Sequence, residues 1–163
     1  MTTNTVILGQ SAEVAFQQAT EAMSYLRKFL VDRPNKLVIG GKQYLEYRDW
    51  QFLGMHFGIT PRVDHVEEIN IIQDERLKFI GFKSTASAIR DDKVLSTAVM
   101  ECTRQEPNWT NKPRFQICSM AETRACAKVL RNVLSWVFAL PESEGIEHTA
   151  SVEELNNGQE GLL

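Results

Sequence analysis

The chain has 163 residues and a mass of 18.6 kDa, with 43% hydrophobic and 24% charged residues. That is ordinary globular usage; it excludes a wholly disordered chain and fits one domain on the usual scale of roughly 100–200 residues. No apolar run approaches the roughly 20 residues of a membrane span, and Met1–Gln10 lacks the basic stretch that opens a secretory signal. Cys102, Cys118 and Cys126 are an odd count with no CxxC pair, which reads as the reduced thiols of a cytoplasmic protein. The net charge of −3 conceals a split, because all 18 Lys and Arg residues lie between Arg27 and Arg131, among 13 acids. From Asn132 to Leu163 there are six acids and no Lys or Arg. A basic body with an acidic tail suits nucleic-acid binding. It also suits a solvated body with a solubilising tail.

In chain order, Ser11 is placed to cap a helix from Ala12 to about Leu30, with Ala15, Ala19, Ala22, Met23, Leu26 and Leu30 on one face. Asp32-Arg33-Pro34-Asn35 breaks it, and Lys36–Leu45, with Gly40-Gly41 at its centre, reads as a small hairpin. A second helix follows over Tyr47–Phe57, with Trp50, Leu53 and Phe57 as its apolar stripe and Gly58 as its stop. Three strand-like runs come next, Arg62–Ile72, Phe79–Arg90 and Val94–Arg104, the last two joined by Asp91-Asp92-Lys93. Gln105–Pro113 is a polar loop, and a long helix runs from about Arg114 to Leu140, where Pro141 ends it. Glu142–Leu163 reads as a disordered, flexible acidic tail. The expected fold is therefore α+β. An N-terminal helix and a second helix precede a three-stranded antiparallel meander, and the long C-terminal helix packs on the sheet. Residues 1–141 form one domain and residues 142–163 a tail that folding does not need.

The long helix carries the first candidate site. At 100° per residue Arg124, Lys128 and Arg131 fall within about 60° of one another, while Cys118, Cys126, Val129, Val133, Trp136 and Val137 gather opposite. Three cations in a row, without interleaved acids, can track a phosphate backbone; the plainer alternative is a solvated charged face. Glu122 falls on the apolar side, where a core ion pair or a helix-start role explains it. The preceding loop holds Trp109 among Arg104, Lys112 and Arg114, an arrangement that can stack a base while the cations hold phosphates. Alternatively Trp109 folds back on the helix start as a hydrophobic staple. Enzyme motifs are missing from the sequence. Ile39-Gly40-Gly41-Lys42 lacks the length and the Ser/Thr of a phosphate loop, and His56, His65 and His148 have no metal-ligand spacing with the cysteines. The expectation is a non-enzymatic protein without cofactor or metal.

Two segments carry a resemblance. Tyr44–Gly58 (YLEYRDWQFLGMHFG) and Ser119–Arg131 (SMAETRACAKVLR) resemble the first and last helices of the single-strand annealing superfamily, which includes the eukaryotic recombination mediator Rad-fifty-two and the phage annealases Sak and Erf. The second segment, with Asn108-Trp109, also resembles a group of small phage and prophage proteins. The shared order covers about Gln43–Leu140. It implies an ATP-independent protein of homologous recombination that forms rings or filaments and pairs complementary single strands. Its implied partners are single-stranded DNA, further copies of itself, and a host or phage single-strand-binding protein or nuclease. Arg48, Lys128 and Arg131 match the family's DNA-contacting cations; Arg124 is added by helix geometry alone. The chain departs from the pattern at Ala127-Lys128, where the family has a basic pair, and in strands lean in cations, with Lys83, Arg90 and Lys93 the main ones. An Arg beside Glu46 and Asp49 is also explained as a local ion pair. Two other readings stay open: a duplex-RNA-binding module, which shares the order helix, three strands, helix, and an oligomeric structural or interaction protein, whose Ser11–Leu30 helix packs on a neighbour and whose acidic tail recruits a partner.

Overall fold

The computed structural model describes residues 6–7 and 10–155. A two-residue pair, β1 (Val6–Ile7) with β2 (Gln10–Ser11), leads into α1 (Ala12–Val31). Ser11 is the N-cap, its hydroxyl accepting the Val14 N–H at 3.4 Å. The buried residues of α1 are the stripe from Ala15 to Leu30 that the spacing predicts. β3 (Val38–Ile39) and β4 (Lys42–Leu45) form the expected hairpin. Its turn residues Gly40 and Gly41 lie at φ +60° and +78°, the left-handed pair a tight hairpin needs. α2 (Tyr47–His56) starts where the Asp49 carboxylate reaches back to the Glu46 N–H at 2.7 Å.

The central sheet is a meander of β5 (Thr60–Gln73), β6 (Arg76–Arg90) and β7 (Lys93–Thr103), antiparallel in the order β5-β6-β7. Asp74-Glu75 and Asp91-Asp92 close it with two-residue turns, all four residues at positive φ. The first hairpin therefore extends past Ile72, where the charged run Gln73–Lys78 hides the strand signal. Along β6, Phe82, Ser84, Ala86 and Ala88 pair with Cys102, Met100, Ala98 and Ser96 of β7 and form the covered face. α3 (Arg114–Leu134) lies on this face. Small residues on both sides, Ala86, Ala88 and Ala98 of the sheet and Ala121 and Ala125 of the helix, bring the two close. α2 packs on α3 from another side.

α3 ends six residues earlier than the periodicity suggests, at Leu134 rather than Leu140. Ser135–Ala139 tightens into a 3₁₀ turn. That winding seats Val137 and Phe138 in the core, with Phe138 5.4 Å from Trp50 between ring centroids, and sets Trp136 5.5 Å from Phe57.

The expected disordered tail is corrected by the structure from Glu142 to Leu155; the rest of it lies outside the described residues. A 3₁₀ turn, Pro141–Ser143, leads to β8 (Ile146–Ser151), which pairs parallel with β4 and completes a sheet of order β3-β4-β8. A further 3₁₀ turn covers Val152–Glu154. Ile146 is 7% exposed and Ser151 fully buried. Arg27 ties the segment to α1 by donating to the Glu144 carbonyl at 2.7 Å. The segment reads as solvated because it holds no cation of its own; the body supplies them. Among the described residues no helix is long and apolar enough to cross a membrane.

Candidate nucleic-acid interface

One end of the covered sheet face gathers aromatic rings and cations. Opposite β5, Ile69 pairs with Gly81 and Asn70 with Phe79, so Ile80 is an extra residue in β6. This bulge puts Phe79 on the same face as Phe82 although the two are three positions apart. Their rings meet edge to face at 5.1 Å, on a small core of Cys102, Ile117 and Ala121. Gly81 makes the bulge possible: a Cβ there would lie 2.3 Å from the Cys102 carbonyl oxygen.

Two arginines converge on this platform. The guanidinium carbon of Arg114, at the start of α3, lies 4.3 Å from the Phe79 ring centroid; that of Arg104, just past β7, lies 5.3 Å from it. Arg114 also pairs with Glu68 of β5. Arg76, Lys78, Phe79 and Arg104 line an open cleft of about 760 Å³ beside the β5–β6 turn. Leu77 on β6 and Phe115 on α3 are 74% and 69% exposed. Exposed apolar groups interleaved with cations can stack bases while guanidinium groups hold phosphates.

Trp109 packs on the same small core as Phe79 and Phe82. It ends a 3₁₀ turn, Pro107–Trp109, and its packing on the cluster that holds Ile117 and Ala121 of α3 is the contact the staple-like reading expects. Lys112 borders a cavity of about 470 Å³ that Trp109, Met120, Arg124 and Glu153 also line.

The expected cation face of α3 is corrected. Arg124 is 4% exposed. It donates to the Glu106 carboxylate at 2.6 and 2.9 Å, to the Glu101 carbonyl at 2.8 Å, and through Nε to the Glu153 carbonyl. Burial opposes its charge, but the hydrogen bonds and charge of Glu106 hold its pKa above the ordinary value. Glu106 is itself disfavoured as a carboxylate by burial, yet Arg124 and the Thr103 N–H bring it below the usual range. Lys128 donates to the Val99 carbonyl at 3.4 Å, and Arg131 pairs with Glu154. The stripe lacks interleaved acids because its partners come from distant segments. Arg124, Lys128 and the Thr103–Glu106 bond together cap the outward edge of β7. Arg48 is 63% exposed and pairs with Glu46 at 2.7 Å, while Asp49 pairs with Arg33, so the local ion pair is what forms.

The sequence therefore leads to Arg104 and Arg114 but misses Phe79, Phe82, Arg76 and Lys78. Strict alternation sends Phe79 and Phe82 to opposite faces; only the Ile80 bulge reunites them, and a glycine within a strand is the one signal for it. The fold and site define an α+β domain: a three-stranded meander covered on one face by a long helix, with an arginine–phenylalanine platform at one end. Comparison with protein-family models, with curated proteins and with solved structures gives no match.

Proposed function

We propose that this protein binds single-stranded DNA at the platform of Phe79, Arg104 and Arg114 and anneals complementary strands as a homo-oligomer, without ATP, cofactor or catalytic step. The observation that carries the reading is the convergence of two guanidinium groups on one part-exposed ring, beside Arg76 and Lys78. Duplex DNA buries its bases, whereas an arginine–aromatic surface rewards bases that can leave the stack. The resemblance of Tyr44–Gly58 and Ser119–Arg131 to single-strand annealing proteins supports the same reading, as does the order helix, meander, helix. The other edge of the sheet, β5, has side chains exposed along most of its length, a surface that further copies can use.

The test is fluorescence anisotropy with labelled oligothymidylate over a salt series, alongside a quenching assay of two complementary oligonucleotides. Wild type is expected to bind the single strand more tightly than the duplex, DNA or RNA, and to speed annealing without nucleotide. Arg104→Ala with Arg114→Ala is expected to weaken binding and to flatten the salt slope by about 1.4, two contacts at about 0.7 each. Binding that prefers duplex, or that the double variant leaves unchanged, refutes the platform.

A further inference from the structure

The C-terminal segment lies on cations that would otherwise be open. Glu154 pairs with Arg131, and its carboxylate is oriented by the Ser151 N–H at 2.7 Å and the Ser151 hydroxyl at 2.9 Å. The Glu153 carboxylate accepts the N–H of Tyr47, the first residue of α2, at 2.9 and 3.0 Å. Anions favour this position because the first N–H groups of a helix have no partner within it. The Glu153 carbonyl takes Nε of Arg124. Two acids and one carbonyl of a single short turn thus fill three donor positions on α2 and α3.

Two features bear on how this closure could open, against the burial of Ile146 and Ser151 that holds it shut. β8 is an edge strand held by three residue pairs to β4, and its register shifts between Tyr44 and Leu45. Two cavities also border the segment. One is bordered by Lys112, Trp109 and Arg124, the other by Arg131, Ser96 and His148. Lys128 lies between Arg124 and Arg131 along α3. Burial pushes the Glu153 carboxyl above its ordinary value, so the closed state holds a disfavoured anion.

We infer that residues 146–155 are an autoinhibitory strap, in which Glu153 and Glu154 hold the places of two phosphates of a single-stranded nucleic acid. Strand binding displaces the strap from β4 and α3. It frees Arg131, the Tyr47 N–H and Nε of Arg124, and joins them to Lys128 as a second anion track. Arg124 stays on Glu106 throughout. The inference rests on the single-strand reading above but concerns a different surface from the Phe79 platform.

The experiment uses the full chain. Hydrogen exchange is measured with and without oligothymidylate, and anisotropy is repeated for Glu154→Gln. Strand binding is expected to raise exchange at the amides of residues 146–155 while β6 stays protected. Glu154→Gln is expected to tighten binding roughly tenfold at low salt, the effect of removing one charge-assisted competitor. Unchanged or increased protection of residues 146–155 in the bound protein overturns the strap, even where Glu154→Gln fails to fold. Loss of binding in Arg104→Ala/Arg114→Ala, together with a strap that stays protected when the wild-type protein binds, leaves the platform standing and the strap refuted. Strap release with binding indifferent to those two arginines does the reverse.

Discussion

Glu106→Ala isolates the buried guanidinium of Arg124. In the native protein Arg124 is 4% exposed and both carboxylate oxygens of Glu106 face it. Removing the acid leaves the charge with two carbonyls and without its hydrogen-bonded carboxylate, in a site that water reaches poorly. Breaking a buried pair in this way costs about 3–5 kcal/mol, a large share of the roughly 5–15 kcal/mol that holds a domain together. For a chain of this size each kcal/mol moves the midpoint by about 2–4 °C, so thermal unfolding followed by circular dichroism should show a fall of about 6–20 °C. Arg124→Met combined with Glu106→Leu should recover part of the loss, because it removes the unpaired charge but leaves the Glu101 and Glu153 carbonyls and the Thr103 N–H without these partners. Acid acts in the same direction as the substitution. Glu106 is held below the usual glutamate range, so the stability it lends is complete above the unfolded value and is lost as pH falls through the lower folded value. A fall of less than about 3 °C in Glu106→Ala would mean that the guanidinium rehydrates freely, and the account of α3 as a covered helix would fail.

Two further outcomes follow from packing. Gly81→Ala should destabilise the protein by at least about 1–3 kcal/mol, since its methyl group meets the Cys102 carbonyl and the Thr103 backbone rather than a flexible side chain; an unchanged urea midpoint would refute the tight β6–β7 approach. Truncation after Glu142 should lower the melting temperature, because it strips buried Ile146 and Ser151 from β4 and leaves Arg131 without Glu154; a midpoint equal to that of the full chain would restore the reading of residues 142–155 as a dispensable tail.

What the sequence discloses is whatever depends on neighbours in the chain. The α1 stripe, the Gly40-Gly41 turn, the meander and the packing of α3 on the sheet are set by period, punctuation and local sterics, and all of them are present. What it conceals depends on residues far apart. Arg124 meets Glu106, 18 positions earlier, and the Glu153 carbonyl, 29 positions later. A helical wheel treats the face opposite the core as solvent, whereas α3 is covered by the sheet, by α2 and by the C-terminal segment. The same blindness applies to the tail, whose acids look uncompensated until Arg131 and the start of α2 are brought to them. At Ile80 a single additional residue reverses the parity on which every strand assignment relies.

The capped edge of β7 bears on stoichiometry. With the Val99 and Glu101 carbonyls held by Lys128 and Arg124, two outward acceptors of β7 are already taken, whereas β5 presents an exposed edge for strand addition. Two chains joined β5 to β5 would share one six-stranded antiparallel sheet about a two-fold axis, and the occupied carbonyls of β7 would oppose its further growth. A head-to-tail ring through the sheets would require every subunit to unseat both cations from β7. An assembly through the sheets would therefore grow from closed pairs, and an odd subunit number measured in solution would exclude that mode of growth.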